Sequence, residues 1–457
     1  MTVALQALSR CFQGLLPSAI ATCAPDGTPN VTFLSQVYYV DPTHVALSCQ
    51  FFNKTRRNVG QNPHACVEVL DPVTLEAWKL RVRFTHTETQ GRLFDEMDLR
   101  IQAIATVTGM DGVFKLIGAD VYEVLEIESV AGFLAGPAAA PSAPEFSLST
   151  LIGVQVVSQQ INRARDLDES LDLLLKTLDE VCGFAHAMVL LPDESGRRLV
   201  AIASRGYGAL GKQGMGAEVG LGDGFIGAAA EQQRVLRVSN IENELRYGRA
   251  IRQQVEARGG GGTLRPEIPL PGLPGVQSQL ALPLVVQERL VGLLALESRD
   301  PLAFGSWDEA VLQILANHIA IAMDRNTTRE DEEPPAPAAA PGPRPPAGRR
   351  RAFTFFRNDD CVFVDGEYLI RNVPGKILWK LLTSYQRDGR SEFSNRELKL
   401  DPTLGLPPVK SNLESRLILL RRRLEQQCSD IRLVSVRRGR FALEVDCALE
   451  LLEKDNA

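Results

Sequence analysis

The sequence lacks the features that would mark a secreted, metal-bound or membrane-spanning protein. Its eight cysteines are scattered over 457 residues, and none forms a C-x-x-C pair. A chain this long can build adequate cores without disulfide staples, so reduced thiols are expected. Histidine is scarcer still, with five in all. No clustered Cys/His spacing suits zinc, and no metal site is expected. His186 and His318 are too far apart in sequence to propose as a pair, and each reads as structural. No run of about 18 apolar residues occurs. The start, MTVALQALSRCFQGLLPSAIATCAPDG, lacks the basic-then-apolar order of a signal peptide. A cytoplasmic protein with no membrane segment is the expectation. Fixed-period repeats are missing too. So are paired carboxylates or a nucleophile–His pair that would announce a catalytic centre. With a formal net charge of -6, any nucleic-acid role has to sit in one local basic region.

Two segments do break the composition. GPAAAPSAPE (136–145) and a Pro/Ala-rich run ending in PRPPAGRR (327–350) have no apolar periodicity and read as semi-rigid linkers. They leave modules at 1–135, 146–326 and 351–457, each of ordinary domain size.

In the first module, strand-like runs fall at 20–24, 30–40, 45–49, 65–70, 79–88 and 121–127. A helical pattern covers 91–108 through Leu93, Met97, Ile101 and Ile104. This predicts a small antiparallel barrel. The run Asn53-Lys54-Thr55-Arg56-Arg57-Asn58 follows a strand and offers cationic and neutral donors to a phosphate, beside the start of a helix. The alternative is a plain basic turn that caps the helix. The segments AIATCAPDGTPNVTFLS, NKTRRNVGQNP and FKLIGADVYEVLEIE resemble the pyridoxamine 5′-phosphate oxidase-like, FMN-binding split barrels. That resemblance implies FMN as cofactor. Asn53, Lys54 and Thr55 would hold its phosphate, and Phe33, Leu34 and Ser35 would lie along its ring system. The Arg-rich substrate segment of true oxidases has no counterpart before the first linker, which argues against turnover of a B6 vitamer.

In the second module, amphipathic helices over 151–182 precede strands at 187–191, 199–203, 235–238, 279–286 and 290–297, with a last helix at 307–325. The segments GLGDGFIGAAAEQQRVLRVSNI, SQLALPLVVQERLVGLLALES and AFGSWDEAVLQILANHIAIAMD resemble a GAF domain, an α/β sandwich that senses small ligands. The resemblance implies an unidentified small-molecule ligand and a homodimer paired through the first and last helices. An insertion at 240–276 carries a mixed-charge helix over 242–258, then glycines and prolines. It reads either as a lid or as an unstructured insertion.

In the third module, strands are predicted at 352–356 and 361–364, helices at 373–386, 394–399 and 410–427, and a hairpin at 431–445. Leu413, Leu417, Leu420 and Leu424 fall on one narrow arc and face the core. NLESRLILLRRRLEQ and IRLVSVRRGRFAL resemble the winged-helix output domain of response regulators. By that resemblance, Lys410, Asn412, Ser415 and Arg416 would read bases, with Arg422 and Arg423 further along the same outer side. Arg437, Arg438 and Arg440 of the hairpin would neutralise phosphates. From 410 to 440 nine basic side chains face three acidic ones, which makes the basic region the net charge demanded. Ile418 and Leu419 lie outside the leucine arc, an aliphatic pair free to meet a protein partner.

The expected fold class is therefore α+β multidomain: split β-barrel, GAF α/β sandwich and C-terminal winged helix. The function it suggests is a one-component sensory regulator acting on DNA. The rivals are a flavin-dependent oxidoreductase with regulatory domains and a protein-interaction scaffold.

Overall fold

Alternation of apolar and polar residues through Ala77–Glu88 demands a sheet with one face covered, and the protein supplies it. The computed structural model describes residues 3–49, 54–130, 148–161, 167–193, 195–207, 217–258, 264–329, 350–358, 360–404, 413–437 and 439–454. Two compact units emerge, Met1–Gln155 with Leu178–Ala316, and Val156–Thr177 with Asn317–Ala457.

The first unit begins with seven strands: β1 (Ser18–Cys23), β2 (Pro29–Leu34), β3 (Val37–Asp41), β4 (His44–Cys49), β5 (His64–Leu70), β6 (Ala77–Glu88) and β7 (Gly118–Ser129). Helix α1 (Lys54–Gln61) follows β4, and α2 (Arg92–Val107) follows β6. The strands pair antiparallel in the order β2-β1-β5-β6-β7-β4-β3. Only Ser35 and Gln36 separate the two edge strands β2 and β3. A connection of at most about 11 Å brings both edges to one corner and curls the sheet into a barrel. A 3-10 helix at Leu5–Gln13, which the pattern did not predict, adds Leu5, Leu8 and Phe12 to the core of Ile20, Val37 and Leu80.

Next come α3 (Leu148–Ile161), α4 (Leu167–Glu180), β8 (His186–Pro192), β9 (Arg198–Arg205), β10 (Glu218–Gly220), α5 (Gly224–Gln232), β11 (Leu236–Val238), α6 (Ile241–Ala257), β12 (Ser278–Val286), β13 (Arg289–Ser298) and α7 (Ser306–Arg329). The sheet runs β10-β9-β8-β13-β12-β11. The division between the two units passes through α3, α4 and α7.

Where it is described, the insertion is structured and tied to the barrel. Its helix α6 starts at Asn240, whose side chain accepts from the Asn243 N–H at 3.2 Å and so satisfies one orphan donor of the first turn. Further on, Arg265 N–H donates to the Gly109 carbonyl at 2.9 Å and Ile268 N–H to that of Val107 at 3.0 Å. The barrel's α2 thus shares one apolar core with the sandwich. Met97, Ile104 and Val107 cluster with Met188, Phe225, Leu245 and Ala295.

The second unit holds β14 (Arg350–Phe356), β15 (Cys361–Val364), β16 (Glu367–Ile370), α8 (Asn372–Asp388), β17 (Glu392–Ser394), α9 (Asn395–Lys399), α10 (Leu413–Gln427), β18 (Ile431–Arg437), β19 (Arg440–Val445) and β20 (Ala448–Lys454). One sheet is β16-β15-β14-β20 and the other β17-β19-β18. Strand β20 pairs parallel to β14 and escaped the sequence reading. Its residues ALELLEK are strong helix formers, and only the waiting edge of β14 makes them a strand. The leucine arc of α10 faces the core with Ile377, Leu381 and Phe441, as its spacing requires.

Candidate functional site

The barrel corner is built by a polar staple. Asn58, buried on α1, donates to Thr22 Oγ1 on β1 at 3.1 Å. Asn30 on β2 donates to the same oxygen at 3.2 Å and to Thr55 Oγ1 at 3.0 Å. These bonds fix the first turn of α1 against β1 and β2. Arg56 turns inward, donating to Cys49 Sγ at 3.1 Å near the buried carboxylate of Asp120. Burial raises the Asp120 carboxyl, against the pull of Thr87 and Arg56. Lys54 is left exposed at the helix start, where the backbone N–H groups favour an anion. Phe33 is 79% exposed on the edge strand β2, while Leu34 and Ser35 are half-buried beside it. Asn53 lies outside the described residues. A cation, a fixed hydroxyl, a helix start and an exposed aromatic at this end of the barrel suit a phosphorylated ring system such as FMN.

A second candidate lies in the sandwich. The segment GLGDGFIG makes a tight entry into α5, with Gly222 and Gly224 in left-handed conformation at φ of 82° and 60°. A Cβ on Gly227 would stand 2.1 Å from the Gly220 carbonyl oxygen, so only glycine lets α5 approach β10 this closely. Beside that approach is a small pocket open to solvent. Its walls are Glu218–Gly220 and Asp223–Ile226, Gln279 of β12, Ile268–Pro271 of the insertion and Val107 of the barrel. The walls are mostly apolar, with polar groups at Glu218, Asp223 and Gln279, a composition suited to a small organic ligand.

One buried carboxylate ties a wall residue to the end of the insertion. Glu297 accepts from Gln279 Nε2 at 2.7 Å and from the Leu273 N–H at 2.7 Å. Burial raises its carboxyl, and these donors oppose the rise. Gly272 comes so near that a Cβ there would sit 2.3 Å from Glu297 Oε2. His186 packs edge-on against Tyr207 at 5.8 Å, and burial with Arg299 lowers its pKa, whereas His318 is exposed.

Between barrel and sandwich stands a buried ion pair. Arg100 Nη2 of α2 meets Glu244 Oε1 of α6 at 2.6 Å, with both side chains buried. Burial alone would pull the guanidinium down, but Glu244 and Tyr38 hold it above its ordinary value. Burial also pushes the Tyr38 phenol up to about 12. Thr106 of α2 accepts from Gly224 N–H at the start of α5 at 3.0 Å, so a barrel side chain caps a helix that lines the pocket.

In the C-terminal region, the expectations for α10 need correction. Ile418, expected to be exposed, is 1% exposed, and Leu419 is partly buried against the core. Arg416 and Arg422, expected on an outer face, are buried as well. Arg422 Nη2 donates to Asp172 Oδ1 of α4 at 2.6 Å. The contact with Asp172 accounts for the inward turn of Arg422, because the amphipathic reading considered only the core of the module itself. Arg423 and Arg440 are half-buried. Ser415 lies on α10 and Arg437 ends β18, but their side chains are outside the description. Lys410, Asn412 and Arg438 lie outside the described residues altogether.

Sequence reasoning missed Arg100, Glu244, Asp172 and Glu297. Arg100 and Glu297 did carry a signal, each being a charge among apolar neighbours. Asp172 and Glu244 sit in helices rich in charge, where nothing singles out one carboxylate.

Comparison with known proteins fits this layout. Residues 5–122 match the family model of pyridoxamine 5′-phosphate oxidase, and residues 166–323 match that of the GAF domain. The chain therefore carries a pyridoxamine 5′-phosphate oxidase-like domain followed by a GAF domain, a combination that fits a sensor or regulator. Among solved structures, it is similar to the GAF domain of an Acinetobacter phosphoenolpyruvate-protein phosphotransferase, at 19% identity and TM-score 0.32, covering 40% of this chain and 97% of that one. An FMN-binding protein from Syntrophomonas wolfei is similar at 17% identity and TM-score 0.24, covering 28% and 86%. Free methionine-R-sulfoxide reductase from Neisseria meningitidis is similar at 18% identity and TM-score 0.30, covering 39% and 93%. No curated protein matches significantly. Among the described residues no helix is long and apolar enough to cross a membrane, and no three potential ligands gather for a metal ion.

Proposed function

We propose that the chain is a one-component sensory regulator, in which FMN in the barrel, a small ligand in the GAF pocket, or both, control a C-terminal winged helix that binds DNA as a homodimer. The observation that carries this reading is the shared core of α2, α5 and α6, closed by Arg100 and Glu244. It joins the phosphate-fitting corner and the pocket within one unit, so a change at either site can reach the other through packed atoms. FMN, when bound, would supply reversible uptake of electrons and absorption of visible light. Lys54, Thr55 and the first N–H groups of α1 would bind its phosphate, and Phe33 would lie along its rings. On the output side, the order of α8, α9 and α10 followed by the β18–β19 hairpin supports the winged-helix reading.

The test is a two-part measurement on the purified full chain. A flavin absorbance band that disappears in Lys54→Ala combined with Phe33→Ala supports the barrel assignment. A colourless protein that ignores added FMN removes it. Retardation of DNA from upstream of its own coding sequence, weakened in Arg423→Ala and Arg440→Ala and falling with salt, supports the output assignment. Steady NAD(P)H oxidation without DNA binding would favour the oxidoreductase instead.

A further inference from the structure

Helix α10 has two buried faces where its domain needs only one. Leu413, Leu417, Leu420 and Leu424 serve the domain core. Ile418 and Arg422, one turn apart, stand roughly 140–180° away from Leu413 around the helix, yet both are buried. On this second face Arg422 meets α4 of the GAF domain, whose residues Leu167–Thr177 belong to the same compact unit as the C-terminal region. There Arg422 Nη2 donates to Asp172 Oδ1 at 2.6 Å, with the arginine side chain 11% and the aspartate 67% exposed. The sequences carry opposite charge as well: Leu167–Thr177 contains Asp168, Glu169 and Asp172 against Lys176, and α10 contains four arginines, of which Arg422 meets Asp172.

We propose that the acidic start of α4 occupies on α10 the surface that a nucleic-acid backbone would take, so that this fold is an autoinhibited state. The carboxylate of Asp172 offers Arg422 the same charge-assisted acceptor that a phosphate oxygen offers. One guanidinium buried under α4 cannot face a phosphate at the same time, so docking on α4 and binding of a polyanion exclude each other. Because α4 belongs to the GAF domain, a ligand that shifts α4 changes the access to α10. The rim position of Asp172 keeps this contact weak enough to open. The polyanion half of the proposal rests on the DNA-binding reading above; the docking half does not.

The experiment uses the full chain in three forms: wild type, Asp172→Asn and Asp172→Arg. An arginine-selective dicarbonyl reagent, read by mass spectrometry, measures the modification of Arg422 relative to half-buried Arg423 in the same helix. Retention of the upstream DNA is measured on the same samples. The expected result is about a fivefold rise in relative Arg422 modification in Asp172→Arg, a smaller rise in Asp172→Asn, and about tenfold tighter DNA binding in Asp172→Arg. If Arg422 stays protected in Asp172→Arg, docking through Asp172 is wrong. If Arg422 opens while DNA affinity stays unchanged, the mutual exclusion is wrong. If Arg422 opens and no form binds DNA at all, the docking stands and the DNA-binding reading itself falls.

Discussion

Two joints between domains stand out among the described residues, and they are made differently. The joint of α2 with α5 and α6 combines an apolar core, a fully buried ion pair and backbone hydrogen bonds from Arg265 and Ile268. The joint of α10 with α4 turns on a buried arginine whose carboxylate partner stands largely in water. A charge pair removed from solvent on both sides cannot lose one member cheaply, whereas a pair with a wet carboxylate can exchange that partner for water. The first joint is suited to transmit, the second to open.

The largest effect should come from breaking the first joint's ion pair. Glu244→Ala leaves Arg100 buried without its carboxylate and should cost about 3–5 kcal/mol in denaturant unfolding of the first unit. Replacing both residues together, as Arg100→Met with Glu244→Leu, should recover most of that loss. A single-variant cost below about 1 kcal/mol would erase the contrast between the joints.

Next in size is the backbone contact. A Cβ on Gly109, at φ +68°, would stand 2.0 Å from the Arg265 carbonyl oxygen. Gly109→Ala should therefore destabilise by about 1–3 kcal/mol. Amide exchange should quicken in residues 264–271 before it does in the barrel strands; equal quickening everywhere would mean that the insertion is not a separate clamp.

A pH effect sharpens the same joint from its far side. The Glu297 carboxyl is raised by burial, so the folded state holds its proton more tightly than the unfolded chain does. Its contribution to stability is full below the ordinary carboxylate range and is lost as pH rises from there through the raised value. Glu297→Gln should flatten that decline in urea midpoints between acid and neutral pH. An unchanged slope would assign the pH dependence to other groups.

The smallest change belongs to the second joint. Asp172→Asn should alter unfolding by less than about 1 kcal/mol, because the carboxylate is well exposed. A calorimetric loss of several kcal/mol would make this joint as rigid as the first and would remove the reason to regard it as a switch.

Much of the fold was legible because its signals are local. The alternation in β6, the leucine arc of α10 and the glycines of GLGDGFIG each follow from neighbours within a few residues. The basic turn at Lys54 and Thr55 was readable in the same way, whereas Phe33 came only from the family resemblance. The staple that fixes that turn was not readable, since Thr22, Asn30 and Asn58 meet only once β1, β2 and α1 are packed. Strand β20 went unread because its residues prefer helix until β14 offers an edge.

By itself the sequence determined much of the strand and helix order and a basic stretch in an acidic chain, and it predicted three modules, all of which rest on composition and periodicity. Only the tertiary structure decided that the insertion clamps the barrel, that Arg100 and Glu244 share a buried pair, and that Ile418 and Arg422 turn inward. Those outcomes depend on which surfaces meet across long stretches of chain. A helix's pattern reports that a face must be covered; it does not say what will cover it.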